Sequence, residues 1–387
     1  MNRKRSWVRR TRVALGCGAL LVAFSAVALF AYNTFQDNLG TLQAPQPVAA
    51  RWASLPVTWL LNPATPSNNV STTGCSIGNP SSCIQQSLAL GFTTWTSAVV
   101  QIQAQFQSLT NLSVQYDPTL SSLTTPNATD CKNVIGFSDT TSGDFSTGTI
   151  AFTQVATVTR PTPTTTSFSY NCTDPTTNVT TTKTCNLDDC IADADIEFNP
   201  NENFSTSTTP PANTFSIQSV ATHEEGHLLG MDHSGIGHAI MFPFGDTTAA
   251  GQETALSTDD AIGVSYLYPC TSPPGPSNCT ASFSSSTGEI SGTVSLNSAG
   301  TFAAQVVAIN ATTGNVVMDG LTAPDGSYTL VGAPPGSYHI LVLPLAPDVN
   351  SGIVVLDDFS GWDCGYADPA SCTTVPQNFT NYTGRYF

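Results

Sequence analysis

The chain has 387 residues, only 10% of them charged, and its 11 basic and 27 acidic groups give a formal net charge of −16. Six of the basic groups (Arg3, Lys4, Arg5, Arg9, Arg10, Arg12) fall in the first twelve residues, which hold no acid, so the remainder carries five basic against 27 acidic groups, a net of −22. Phosphate binding needs clustered Lys and Arg, so this balance excludes a nucleic-acid partner and argues against docking on an anionic membrane; 40% hydrophobic content excludes a wholly disordered chain.

The basic run leads into Val13–Ala31, nineteen residues without a charge. A basic head followed by an apolar stretch is the pattern of an export signal, with Ala26-Val27-Ala28 as a small-x-small cleavage site. The apolar stretch is also long enough to stay uncleaved as a membrane anchor. Either way the rest of the chain is expected outside the cytoplasm, secreted or anchored and facing outward. Besides Cys17 there are ten cysteines, an even number that reads as disulfides in an exported protein. Close spacing pairs Cys75 with Cys83, Cys270 with Cys279 and Cys364 with Cys372; Cys131, Cys172, Cys185 and Cys190 leave three connectivities open. The absence of CxxC speaks against a thiolate zinc site.

Residues 32–50 read as a polar linker, with structure beginning at Arg51. Leu55–Leu61 is a first strand with Pro56 near its start. Ile84, Leu88, Phe92, Trp95 and Val99 recur at helical spacing and predict one apolar face of a long helix. Asn133–Phe137, Thr149–Val155 and Ala194–Phe198 read as strands, and residues 157–184, with 13 Thr in 28 positions, as an irregular insertion pinned by disulfides. A helix is expected over Ile217–Leu229, ended by Gly230, and a last one after the capping signal Ser257-Thr258-Asp259-Asp260. Residues 270–287 form a Cys-, Pro- and Ser-rich linker. Strand-like runs then follow at Glu289–Leu296, Phe302–Ile309, Val316–Met318, Ser327–Val331 and Tyr338–Leu343, separated by turn signals, and predict a small β-sandwich over 288–349. Residues 350–387 are an extension or an incomplete domain. The fold class expected is α+β: a catalytic unit over 51–269, then the all-β unit.

The chemistry is concentrated in His223-Glu224-Glu225-Gly226-His227-Leu228-Leu229-Gly230-Met231-Asp232-His233, which fits HExxHxxGxxH. His223 and His227 stand at i and i+4 on a helix, so both rings project from one face. Gly230 can end that helix in a left-handed conformation and let the chain reverse to bring in His233. Three imidazoles leave a fourth zinc position open, as catalytic sites do. Glu224, beside the first ligand, is placed to act as general base on a water there. His238 and His339 lie outside the pattern and read as ordinary loop or strand residues.

The extended motif, Ser234 directly after it, and Met241-Phe242-Pro243 eight residues on from His233 resemble the metzincin zinc metalloproteases of the matrixin type. The resemblance extends through Trp52–Leu61, Leu88–Trp95, Thr149–Phe152, Ala194–Phe198 and Leu256–Asp260, and Ala192–Ser205 leading into Ser219–His223 is most similar to the microbial branch. It implies a twisted, mostly parallel sheet with helices, one catalytic Zn²⁺, a tight turn at Met241 beneath the metal, and Phe242 and Pro243 lining the pocket for the side chain after the scissile bond. It also places Asn199, Asn201 and Glu202 near a family calcium site; oxygen ligands suit Ca²⁺, and a solvated turn is the competing reading. No histidine precedes His223, so a second, structural zinc of the animal type is not expected, and the family's cysteine-switch segment is missing. Gly288–Leu345 resembles the carboxypeptidase regulatory-like β-sandwich through Ile290–Val294, Asp325–Tyr328 and Pro335–Tyr338.

The function expected is an exported, monomeric zinc endopeptidase acting on protein or peptide substrates, with membrane contact only if the N-terminal segment is uncleaved. A surface-displayed binding protein with an inactive metalloprotease domain is the alternative. Proteolysis by residues 51–270, or metal content without turnover, separates the two.

Overall fold

The computed structural model describes residues 4–12, 33–40, 45, 47–62, 69–73, 75, 79–119, 127, 130–137, 145, 148–162, 164–174, 177–245, 247–248, 252–271, 279–345, 359, 366 and 385–386. The apolar run Val13–Ala31 with Cys17, the pair Cys364 and Cys372, and nearly all of the 350–387 extension lie outside the described residues.

In chain order the first unit contains strands Lys4–Arg12 (β1) and Val57–Leu61 (β2), helix Pro80–Thr96 (α1), and strands Val114–Tyr116 (β3), Val134–Gly136 (β4) and Thr149–Thr159 (β5). There follow Phe168–Thr173 (β6), Thr180–Cys185 (β7), Asp189–Phe198 (β8), helix Ile217–Leu228 (α2), strand Phe244–Gly245 (β9) and helix Thr258–Leu267 (α3). Seven strands join in one sheet, ordered β9-β1-β5-β8-β4-β2-β3. The pairs β1–β5, β8–β4, β4–β2 and β2–β3 are parallel; β5–β8 and β1–β9 are antiparallel. β8 is buried at every position, as a strand covered on both faces must be. The basic stretch read as the head of an export signal forms β1, lying along β5.

α1 starts where Asn79 accepts a hydrogen bond from the Ser82 amide (2.9 Å) with Pro80 in the first turn. Its buried face carries Ile84, Leu88, Phe92 and Trp95, as the spacing predicts. Val99 does not extend that face: the Ser97 and Ala98 amides close back on Thr93 and Trp95, the helical repeat ends there, and Val99 is 45% exposed. The Thr-rich insertion is not irregular either. β5 runs on to Thr159, and β6 and β7 form a hairpin from Phe168↔Cys185 to Thr173↔Thr180, since β-branched side chains favour extended backbone. Cys131–Cys172 and Cys185–Cys190 resolve the four open cysteines, and Cys75–Cys83 and Cys270–Cys279 pair as expected.

Residues 32–50 do more than link. Gln36–Asn38 pairs with Pro47–Ala49, Phe35 and Ala50 are fully buried, and Thr34 bridges to Met231 just beyond Gly230.

The C-terminal unit has strands Gly288–Thr293 (β10), Gln305–Asn310 (β11), Val316–Leu321 (β12), Ser327–Ala333 (β13) and Tyr338–Leu343 (β14). β10 pairs with β13, and β12-β11-β14 lie side by side, with Arg385–Tyr386 beyond β14. The strand expected from Phe302 begins only at Gln305, because Phe302 and Ala303 form a turn, with Ala303 at φ 54°. The unit is not a separate bead. Ile262 and Val264 of α3 share one apolar core with Val306, Met318, Leu330 and Ala333. Gly332, at φ 95°, lets the backbone approach so closely that a Cβ there would lie 2.5 Å from the Ile262 side chain.

Candidate metal centre

α2 is capped by Ser216, whose hydroxyl accepts from the Ser219 amide (3.3 Å). At its other end the Met231 amide donates to Gly226 O and the Gly230 amide to His227 O, both at 2.9 Å, which is the pair of bonds of a Schellman turn. Gly230 sits at φ 102°, and a Cβ there would lie 2.5 Å from Ala50 O, so both conformation and space demand glycine. The last carbonyls of the helix are taken by side chains: Trp52 Nε1 donates to Leu228 O (2.8 Å) and the Tyr268 hydroxyl to Leu229 O (2.7 Å). The reversed chain is then held by Asn33, whose side-chain Nδ2 donates to His233 O (2.9 Å) while its backbone carbonyl accepts from the Asp232 amide (2.8 Å).

This construction brings His223, His227 and His233 together, with ligand atoms all within 4.8 Å of one another; among the described residues it is the only such group of three. His223 Nδ1 lies 2.6 Å from Ile240 O and His227 Nδ1 2.9 Å from Met231 O. A carbonyl only accepts, so both Nδ1 atoms carry the proton and the lone pairs sit on Nε2. The two Nε2 atoms face each other at 3.1 Å. Two lone pairs at that distance repel unless a cation lies between them, so the donor set fits a divalent metal, and three nitrogens with an open position fit zinc. Burial holds both rings neutral: it lowers the His223 pKa to about 4 and pushes His227 well below its usual value, where a proton on neighbouring His233 or His223 would further disfavour one on His227. Phe35 stacks on the His227 ring at 5.6 Å.

Glu224 is buried, and the Thr153 hydroxyl of β5 lies 2.7 Å from its Oε2 and 3.0 Å from its own carbonyl oxygen. With His223 it lines a cavity whose walls include Ile150, Phe215, Val220, Phe242 and Pro243, so both predicted pocket residues stand there. Met241 is fully buried beside Gly226, where a Cβ would strike its sulfur and lie 2.7 Å from the Trp95 ring. The turn at Met241 is fixed by Asp260, whose carboxylate accepts from the Ile240 amide (2.8 Å), the Met241 amide (3.2 Å) and the Ser257 amide (2.8 Å). The capping box legible in sequence thus has a second use: Asp260 also holds the carbonyl on which His223 rests.

Asn199, Asn201 and Glu202 form a turn after β8. Asn199 Nδ2 donates to Thr149 O (2.7 Å), and its side-chain oxygen accepts from the Asn201 amide (2.9 Å). His238 lies away from the triad, 3.2 Å from Glu253, and His339 lies in β14. Sequence reasoning missed Asn33, Phe35 and Thr153. Phe35, the apolar residue between Thr34 and Gln36 in a polar stretch, carried the only signal.

The matrixin family model matches residues 174–269. Over shorter stretches the chain is similar to Metalloendoproteinase 2-MMP of Arabidopsis thaliana, 44% identical over 52 residues, which are 13% of each chain. It is also similar to stromelysin-3 of Xenopus laevis, 43% identical over 58 residues (15% of this chain, 12% of that one), and to karilysin of Tannerella forsythia, 34% identical over 73 residues (19% and 14%). The matches therefore span about an eighth of the length of these relatives. What matches the matrixin family is the segment that carries α2, the three histidines, the Met241 turn and α3.

Proposed function

We propose that the chain is an exported zinc-dependent endopeptidase of the matrixin type, from its microbial branch, whose C-terminal unit is a carboxypeptidase regulatory-like β-sandwich. The observation that carries the reading is the triad of imidazoles, two of them fixed as Nδ1–H tautomers, with a buried carboxylate next to them on the wall of an apolar cavity. Zinc, when bound, supplies Lewis-acid polarisation and makes a water acidic enough to be deprotonated near neutral pH. His223, His227 and His233 would hold it. Glu224 takes the proton of the attacking water and passes it to the leaving amine, while Thr153, donating to Oε2, holds the carboxylate in place. The cavity beside Phe242 and Pro243 receives an apolar side chain next to the scissile bond and excludes water from it. The backbone of an extended substrate pairs along the outer edge of β5, the edge on which β1 lies.

The test is digestion of a peptide library by the purified protein with and without a chelator, beside Glu224→Ala. Cleavage should need the metal, and Glu224→Ala should bind zinc normally while losing about 10²–10⁴-fold in rate. Cleavage by the variant at the wild-type rate would reject the role of Glu224.

A further inference from the structure

The two residues after the third histidine, Ser234 and Gly235, are held from two sides, by α3 and by the C-terminal unit. The Ser234 backbone amide donates to Met241 O (2.8 Å), tying it to the Met241 turn. Its hydroxyl lies 2.8 Å from Asp259 Oδ2 and 3.3 Å from Asp319 Oδ1; with one proton to give, it donates to the nearer. The next amide, Gly235 N–H, donates to Asp319 Oδ2 (3.2 Å). Asp319, on β12, is itself fixed: Gln305 of β11 donates to the same oxygen (2.6 Å), and the Asp319 amide donates to Asp259 Oδ1 (3.0 Å). Ser234, Asp259, Gln305 and Asp319 are all buried. The fit extends to the backbone, because a Cβ on Gly235 would run into both Gln305 Nε2 and Asp319 Oδ2. A buried carboxylate is costly to keep without bonded partners, and the donors to Asp319 come from the loop after His233 (Gly235 N–H) and from β11 (Gln305).

We propose that Asp319, seated by Gln305, is a positioning residue of the metal centre: by holding the Gly235 amide, and by donating its own amide to the Asp259 carboxylate that takes the Ser234 hydroxyl, it fixes the loop that presents His233, so the C-terminal unit completes the metal site. This rests on the triad binding zinc, as in the reading above. Groups that orient a ligand from behind typically change metal affinity by about 10–100-fold when lost. Asn at position 319 can keep an acceptor for Gly235 N–H and Gln305, whereas Ala cannot.

The experiment is chelator-competition measurement of zinc affinity on the full chain and on Asp319→Ala, Asp319→Asn and Gln305→Ala, with the visible spectrum of the cobalt-loaded forms recorded alongside. Asp319→Ala should weaken zinc by about 10–100-fold and alter the cobalt spectrum, Gln305→Ala should weaken it less, and Asp319→Asn should restore both readouts towards wild type. Wild-type affinity and spectrum in a folded Asp319→Ala overturns the proposal, as does equal weakening by Asn and Ala. Should Asp319→Ala fail to fold, Gly235→Ala decides: it displaces Gln305 and Asp319 without removing either, so weakened zinc supports the proposal and unchanged zinc overturns it. A wild-type chain that takes up no zinc sinks the peptidase reading itself, which is a different result.

Discussion

Glu225 sits between Glu224 and Gly226 on α2 and points the other way, into the contact with α1. It is fully buried, neither side-chain oxygen has a hydrogen-bond partner among the described residues, and a Cβ on Gly91 of α1 would collide with the carboxyl. Burial alone raises its pKa well above the usual carboxylate value, so the group is held neutral in the fold. Glu225→Leu removes an unpaired polar group at similar volume and should stabilise the chain by about 1–3 kcal/mol, seen as a higher Tm in thermal unfolding; an unchanged or lower Tm would show that the carboxyl has a partner of use. A folded-state pKa raised above the unfolded one contributes stability that is lost as pH rises, so the Leu variant should gain most in alkaline buffer. Thr153→Val is the matching test on the catalytic side. It deletes the hydroxyl that holds Glu224 Oε2 and should lower peptide cleavage while leaving zinc affinity where it was. The grouping of the three histidines was legible because their spacing is local to one helix and one turn. Thr153 and Asn33 were not, since they meet the site through pairings 71 and 200 residues distant, which no local pattern encodes.

The turn that ends α2 depends on one backbone conformation. Gly230→Ala puts a side chain at φ 102° and 2.5 Å from Ala50 O, which should cost about 1–3 kcal/mol and weaken zinc through misplacement of His233; normal stability and zinc affinity in this variant would remove the turn from the account. β1 poses a different question. It pairs parallel along β5 and antiparallel to β9, the strand just beyond Pro243, so it lies on the edge expected to take substrate. A protein starting at residue 32 should therefore cleave a fluorogenic peptide with a lower KM than one retaining residues 4–12, and a synthetic 4–12 peptide should inhibit the shorter protein; equal KM values and no inhibition would show that the edge is not shared. Helix positions were readable because a 3.6-residue repeat or a capping box marks them, as in Ile84–Trp95 and Ser257–Asp260. The β6–β7 hairpin was not. A run of Thr has no alternation of apolar and polar residues, and only the pairing with its partner and the flanking disulfides make it a hairpin.

At the scale of the molecule, buried carboxyl groups outnumber buried bases among the described residues, and this sets the pH response. Burial raises Asp195 to about 7 and Asp319 to about 6, and raises Asp130, Asp193, Asp259 and Asp260 as well. Each binds more protons folded than unfolded, so each contributes stability that fades as pH rises through its folded value. His223 and His227 act in the opposite sense below about 6.5, where the unfolded imidazole is protonated and the folded one is not. Above that the carboxyl groups act alone, so the zinc-free chain should lose stability from pH 6.5 to 8, and a flat Tm over that range would mean these acids are ionised and paired in the fold. The larger question is whether two units unfold or one. Composition marks 270–287 as a linker, but its Cys270–Cys279 loop joins parts that share a core: Ile262 of α3 packs under Gly332, and Asp319 bonds to Asp259 and Gly235. Linkers are read from residue type, whereas a shared core depends on shape, and shape appears only once both surfaces are folded. Calorimetry of the full chain should show a single transition that moves to higher temperature as a whole when zinc is added, because a ligand that binds only the folded state stabilises everything that unfolds with its site. A C-terminal transition that stays put when zinc is added would show that the interface is too weak to couple the two units, and would return residues 288–345 to the status of an independent domain.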